Sequence, residues 1–258
     1  IHWAQNNLNI PVIDHWWQTE TGFPMVGSPQ GLGFPKLKIG TSGLPMPGFR
    51  IHVLGQDGNQ LKAGELGSIA VKLPLPPGAL PTLWNAQDRF KQAYLEKFPG
   101  YYDTGDAGTI DDEGYVSIMA RTDDVINTAG HRLSTGAIEE VLTEHPDVAE
   151  CAVVGVKDDL KGQVPLGLIC LNAGVNKEPD KIISDVILAV RSKIGPVASF
   201  KSAVIIERLP KTRSGKILRA TILKIANGEN FNIPATIDDI TILDEIKSQL
   251  SKIGYPAK

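Results

Sequence analysis

The sequence predicts an α+β chain in two parts, a β-rich part over residues 1–122 and a small α+β domain over 123–258, the latter with a three-stranded sheet and flanking helices. Three observations predict it. Between residues 40 and 119, short alternating runs (FRIHVLG, LGSIAVKLP, AGTIDDEGYVSIMA) are punctuated by Gly, Pro and Asp-Gly turns, the pattern of antiparallel strands. After residue 134 the order becomes helix, strand, strand, helix, strand, loop, helix, which suits a compact module with its own core. The change of pattern falls at RTDD, residues 121–124.

Each element has its own signal. The opening IHWAQNNLNIPVIDHWW reads as an extended lead with no cap, an unusual start that predicts a chain beginning inside a larger domain. AQDRFKQAYLEKF, from Ala86 to Phe98, is a helix-like interruption of the β pattern. GAIEEVLTEHP predicts a helix with Ser134 or Thr135 as N-cap, Glu139 and Glu140 in its first turn, and Pro146 as a stop. CAVVGV and LGLICLN are apolar strands. DKIISDVILAVRSKIG places Ile182, Ile183, Val186, Ile187, Val190 and Ile194 at helical spacing before Gly195 ends the run. SAVIIERL is a third strand, leading into PKTRSGKILR.

Composition narrows the function. With 258 residues, 42% of them hydrophobic, the chain can bury a full core. No apolar run reaches the ~18 residues of a membrane span, and the N-terminus lacks the basic and apolar regions of a signal peptide, which predicts a soluble, cytoplasmic protein with no membrane partner. Cys151 and Cys170 lie in apolar strands, where core packing is the expected role. The five histidines are scattered without metal-ligand spacing. A net charge of -3 and a pI near 6.0 argue against a nucleic-acid partner.

Four segments carry chemistry. WWQTETG (16–22) sets two indoles beside hydroxyls and a carboxylate, groups suited to phosphate or a hydrated cation, although two core tryptophans at a strand end explain it equally well. In YYDTGD (101–106), Asp106 follows a turn-permitting glycine and can accept hydrogen bonds from both hydroxyls of a ribose; an Asx turn between strands is the commoner origin of an isolated TGD. RTDDVINTAGHRLSTGAIEE (121–140) joins Arg121, two acids, a small pair Ala129-Gly130 and Arg132: either a charged linker or a passage where Gly130 admits a narrow ligand past Arg132. PKTRSGK lacks the earlier glycine and the hydroxyl after lysine that a P-loop requires. Residues 201–224 hold seven cations against one anion, a local excess that suits an anionic ligand better than an ordinary solvated loop.

In this order and spacing, WWQTETG, YYDTGD, RTDDVINTAGHR and PKTRSGK resemble the signature motifs of the acyl-CoA synthetases of the adenylate-forming superfamily. VKLPLPPGALPTLWN, FPGYYDTGDAG and KGQVPLG most resemble propionyl-CoA synthetase, a relative of acetyl-CoA synthetase. The resemblance covers essentially the whole chain. It implies that residues 1–122 are the C-terminal part of the large adenylation domain, ending in a β-barrel-like subdomain, and that 123–258 are the mobile C-terminal domain. It implies ATP-dependent ligation of propionate or acetate to CoA through acyl-AMP, with ATP, Mg²⁺ and CoA as cofactors.

By the same resemblance, Lys216 is the catalytic cation and Glu20 the metal ligand. Trp16 packs on adenine, Thr19 meets the AMP phosphate, and Asp106 and Arg121 serve the ribose. Trp17 floors the acyl pocket and restricts it to two or three carbons. Asp123 is the hinge about which the domain swings between the half-reactions, and Gly130, Arg132 and Arg191 lie along CoA. Ala129 stands where acetyl-CoA synthetases carry serine, which removes a hydrogen bond to pantetheine. Relatives with PKTRSGK are regulated by acetylation, so a lysine acetyltransferase and a deacetylase acting on Lys216 are expected partners. The family's Gly/Ser/Thr-rich phosphate loop precedes WWQTETG and is not in this sequence, so the resemblance implies a chain inactive by itself. Two other readings stay open: a non-catalytic module that binds nucleotide or CoA, and acyl-AMP chemistry toward an acceptor other than CoA.

Overall fold

A computed structural model of the chain describes residues 1–33 and 36–256, which fall into two units, Ile1–Thr122 and Asp123–Lys258. In the first unit, the stretch expected to be extended opens with a helix, α1 (His2–Leu8), closed by Asn9 in the left-handed region at φ 53°. None of its residues is buried, so no apolar stripe marks it in the sequence. The short strands β1 (Val26–Gly27) and β2 (Leu44–Pro45) pair antiparallel.

The alternating runs form β3 (Ile51–Leu54) and β4 (Gly67–Lys72). After α2 (Gln87–Tyr94) come β5 (Tyr101–Ile110) and β6 (Val116–Arg121), and the four strands make one antiparallel sheet in the order β3-β4-β5-β6. The two-residue period of β4 divides its side chains between faces. Ile69 and Val71 join Met25, Ile51, Tyr102 and Val116 in one cluster, while Ala70 meets Leu54 and Phe98 in another.

The second unit begins with a short turn, Thr122–Asp124, that straddles the boundary. β7 (Val125–Thr128) and β8 (His131–Ser134) then form a hairpin that the sequence reading missed. Its two central residues, Ala129 and Gly130, have φ of 48° and 85°, the geometry of a two-residue turn that matches strand twist. The helix α3 (Thr135–Thr143) is capped by Ser134, whose Oγ accepts the Ala137 N–H at 3.3 Å. Because the helix starts at Thr135, Glu139 and Glu140 lie one turn later than expected, and no acid occupies the first turn.

β9 (Val148–Asp158) and β10 (Gly162–Leu171) pair antiparallel along their length, α4 (Pro179–Lys193) follows, and β11 (Ser202–Ile205) lies parallel to β10. The chain continues through α5 (Arg219–Ala226) and α6 (Ile242–Lys252). The three expected strands are present, and the hairpin extends them to a five-stranded sheet. Both sheet faces are covered, which is why CAVVGV is a continuous apolar run rather than an alternating one. Ala152, Val154 and Val156 face Ile222 and Ile246 of α5 and α6; Cys151 and Val153 face Ile138, Val186 and Val190 of α3 and α4. The thiols of Cys151 and Cys170 are free, buried and on opposite faces, and burial pushes both pKa values up to about 12.

Candidate functional site

In the first unit the site is built on a defect in β5. Ile69 of β4 stands opposite Asp106, yet its neighbour Ala70 stands opposite Asp103, so Thr104 and Gly105 bulge out of the ladder. TGD is not a turn between strands, because it lies within β5; a local Asx contact is made by Asp103 instead, whose Oδ1 accepts the Gly105 N–H at 3.1 Å. Thr104 locks the bulge by donating its hydroxyl to Ile69 O at 2.6 Å and accepting the Asp106 N–H at 3.1 Å. Gly105 suits the backbone, and its missing Cβ leaves room for Arg121. Its φ is +67°, and a Cβ there would lie 2.6 Å from Arg121 Nη2.

Asp106, only 6% exposed, is the polar centre of this bulge. Gln18 donates to Asp106 Oδ2 at 2.7 Å and to Thr104 O at 2.6 Å, and Arg121 Nη1 donates to Thr104 O at 2.9 Å and to Asp106 Oδ1 at 3.4 Å. Burial raises the Asp106 pKa above its ordinary value, with the Arg121 charge and hydrogen bonds from Gln18, Trp16 and Arg121 opposing it. A carboxylate has about four lone-pair sites, so the bonds from Gln18, Trp16 and Arg121 leave about one of them open.

Two tyrosines support the site from behind. Tyr102 donates its hydroxyl to Gln18 Oε1 at 2.8 Å and stacks on Tyr94, whose hydroxyl donates to Glu20 Oε1 at 2.9 Å. Trp17, Thr19, Glu20, Tyr94, Thr104 and Arg121 thus line one open cleft of about 330 Å³. Trp17 is 52% exposed on its wall. Trp16 lies beneath, half-buried against the apolar cluster and hydrogen-bonded to Asp106, and is not part of the lining.

In the second unit, PKTRSGK folds into a closed turn. Lys211 and Ile217 form a bridge, the Thr212 N–H donates to Lys216 O at 2.8 Å, and the Lys216 N–H donates to Thr212 Oγ1 at 3.1 Å. The local cationic excess is smaller than the sequence suggests, because Arg208 pairs with Asp239, Lys211 with Glu150 and Arg219 with Glu139. Lys216 is exposed at the turn, and among the described residues no side chain pairs with its ammonium.

The remaining expected residues are dispersed. Asp123 is exposed at the unit boundary, Gly130 is at the hairpin tip with open space around it, Arg132 is on β8, and Arg191 is exposed in the last turn of α4. The hairpin fully explains the positive φ of Gly130. Sequence reasoning missed Gln18, Tyr94 and Tyr102, which hold Glu20 and Asp106, and the Glu139–Arg219 ion pair beside the lysine turn.

Comparison with known proteins bears on both units. Acyl-CoA synthetase short-chain family member 3, mitochondrial, of Homo sapiens is 49% identical over 98% of this chain. The chain is similar to acyl-CoA synthetases over nearly its whole length. Propionate–CoA ligase of Escherichia coli (strain K12) is 40% identical over 97% of the chain, and an uncharacterized protein of Pseudomonas aeruginosa is 50% identical over 96%. The chain spans only 37–41% of the length of these relatives. Residues 137–216 match the AMP-binding enzyme C-terminal domain, a match that ends at Lys216. The fold is that of solved acyl-CoA synthetases: o-succinylbenzoate CoA synthetase from Bacillus subtilis, solved with an acyl-adenylate, superposes with a TM-score of 0.69 at 26% identity, covering 84% of this chain and 42% of that one. Among the described residues no helix is long and apolar enough to cross a membrane.

Proposed function

We propose that this chain supplies the cleft and the lysine of an AMP-forming acyl-CoA synthetase that ligates a short carboxylic acid, propionate or acetate, to CoA. The observation that carries the reading is Lys216, a cation that no side chain among the described residues pairs with, on a closed turn whose neighbours Lys211 and Arg219 are each neutralised. In the first half-reaction a carboxylate oxygen bonds to the α-phosphorus of ATP as the bond to the bridging oxygen breaks and pyrophosphate leaves. Anion meets anion at that point, and a fixed ammonium in a water-poor site relieves the repulsion most where charge concentrates. In the second, the CoA thiol gives up its proton to solvent, its sulfur bonds to the acyl carbon, and the acyl–oxygen bond to AMP breaks with the electron pair leaving on AMP.

The cleft, with Asp106 and Trp16 just outside its lining, fits its share of this work. Asp106 takes the ribose hydroxyls, Arg121 sits on the ribose side, Thr19 meets the α-phosphate, Trp16 supports the adenine end and Trp17 limits acyl length. Glu20 fits Mg²⁺ as a single carboxylate ligand, since Tyr94 occupies only one of its oxygens. No group of three or more candidate metal ligands exists among the described residues, so Glu20 would hold such an ion together with substrate oxygens and water; the ion would supply charge to offset the phosphates. A swing about Asp123 alternates the half-reactions, with CoA meeting Gly130, Arg132 and Arg191. Exposure of Lys216 also suits it to a lysine acetyltransferase and deacetylase. We place the enzyme in the cytoplasm; relatives named mitochondrial make the matrix the alternative, decided by fractionation.

The test is product analysis with the full-length gene product, ATP, Mg²⁺, CoA and propionate or acetate. Acyl-CoA and AMP forming in equal amounts is the expected result. No acyl-CoA with any short acid, or ADP in place of AMP, overturns the proposal, and binding of AMP without turnover favours a binding module instead.

A further inference from the structure

Arg219 lies three residues beyond Lys216, at the first position of α5. Its guanidinium forks onto Glu139 of α3: Nη1 bonds Oε1, and Nη2 bonds Oε2 at 3.0 Å. The same two side chains also clamp both backbone groups of one residue of β9. Glu139 Oε1 accepts the Val153 N–H at 2.7 Å, and Arg219 Nη1 donates to Val153 O at 3.3 Å. Among the described strands β9 pairs only with β10, so the ion pair satisfies backbone groups that no strand reaches. Arg219 and Glu139 are 24% and 16% exposed, which sets this pair apart from the screened pairs of the surface.

The pair also reaches the first residues of its own unit. Asp124 Oδ2 lies 4.0 Å from Arg219 Nε, one residue beyond the expected hinge. Between Arg219 and Lys216 the chain has little slack: the Leu218 N–H donates to Pro210 O at 2.8 Å, and Ile217 bridges Lys211. The opposite side of the turn is held independently, by Lys211 on Glu150 and by the Arg213 N–H on Thr236 O at 3.0 Å.

We infer that Arg219 is a positioning residue for Lys216: the Glu139 fork fixes the base of the lysine turn on β9 and ties it to Asp124 at the start of the unit. The inference rests on the reading of Lys216 as the adenylation cation, and it assigns Glu139 and Arg219 a part in one half-reaction only. A bidentate fork is the appropriate device, because it sets orientation as well as distance, and a lysine at 219 keeps the charge but loses the fork.

The experiment uses the full-length gene product with Arg219→Ala, Arg219→Lys and Glu139→Gln, and three readouts. These are acid-dependent ATP–pyrophosphate exchange, thioester formation from supplied acyl-AMP and CoA, and hydrogen exchange at the amides of Thr212, Gly215 and Lys216. Misplacement of a reacting group by about 1 Å costs roughly 100-fold, so exchange in Arg219→Ala should fall by about that factor, with Arg219→Lys intermediate. Thioester formation should hold within about threefold, and the three amides should exchange faster. Equal losses in both half-reactions reduce Arg219 to a stability role and overturn the inference, as does unchanged exchange chemistry. If the wild type itself shows no pyrophosphate exchange, the proposed function fails; the amides then decide the anchor alone, and unaltered protection in Arg219→Ala overturns it.

Discussion

Replacing Gly105 by alanine tests the construction of the proposed nucleotide cleft at one atom. The residue holds φ +67°, which costs an L side chain about 1–2 kcal/mol. The added Cβ would lie 2.6 Å from Arg121 Nη2 and 3.0 Å from Cζ, so the guanidinium must leave its bonds to Thr104 O and Asp106. Arg121 is 52% exposed and can turn to water, which holds the loss of that pair to about 1 kcal/mol or less. The stability cost is therefore about 1–3 kcal/mol, mostly backbone. Nucleotide affinity should suffer separately, by about tenfold for each 1.4 kcal/mol of lost contact. Urea unfolding of the chain and AMP titration calorimetry of the full-length protein measure the two effects. In an Arg121→Ala background, the same substitution should cost stability but no further affinity. Unchanged affinity for AMP in Gly105→Ala would refute the assignment of Arg121 to the ribose side, and an unchanged urea midpoint would refute the strain argument.

Other substitutions probe the remaining parts. Lys216→Gln should lower ATP–pyrophosphate exchange about 100–1000-fold and leave thioester formation from supplied acyl-AMP intact, as measured by separate half-reaction assays. Trp17→Gly should shift the kcat/KM ratio toward butyrate and longer acids, each accepted methylene being worth about 1–3 kcal/mol. Asp106→Asn should abolish tight AMP binding yet gain in stability relative to wild type as pH rises from acid to neutral. Burial raises the folded-state pKa of Asp106, so its favourable contribution is complete below the unfolded carboxyl value and is lost as pH passes the folded one. Melting temperatures across that range check the sign.

Much of the fold was legible because its signals are local. The alternation in GSIAVK gave β4 its two faces, and the continuous apolar run CAVVGV gave a strand covered on both sides. The hairpin β7–β8 was hidden by attention to Gly130 as a ligand passage, although positive φ at Ala129 and Gly130 is what a two-residue turn demands. α6 was overlooked despite Ile242, Leu243, Ile246 and Leu250 at helical spacing. α1 buries nothing and left no pattern to read. At the site, the motif residues were assigned by their resemblance to a family's motifs, and the side chains that hold them left no local signal. Gln18 bonds Asp106 across 88 positions, and Glu139 meets Arg219 across 80. Such pairings are fixed by strand register and helix packing, which a local count of charges cannot see. The same distance explains why seven cations in residues 201–224 overstated the free charge: three are neutralised from outside that window.

The most direct test of the central claim is propionate-dependent ATP–pyrophosphate exchange by the full-length gene product, with acetate as the comparison acid and the 258-residue chain alongside. Exchange by the full-length protein, absent from the 258-residue chain, is the predicted result. Absence of exchange with every short acid would contradict the account and leave the cleft and Lys216 without the adenylation chemistry assigned to them.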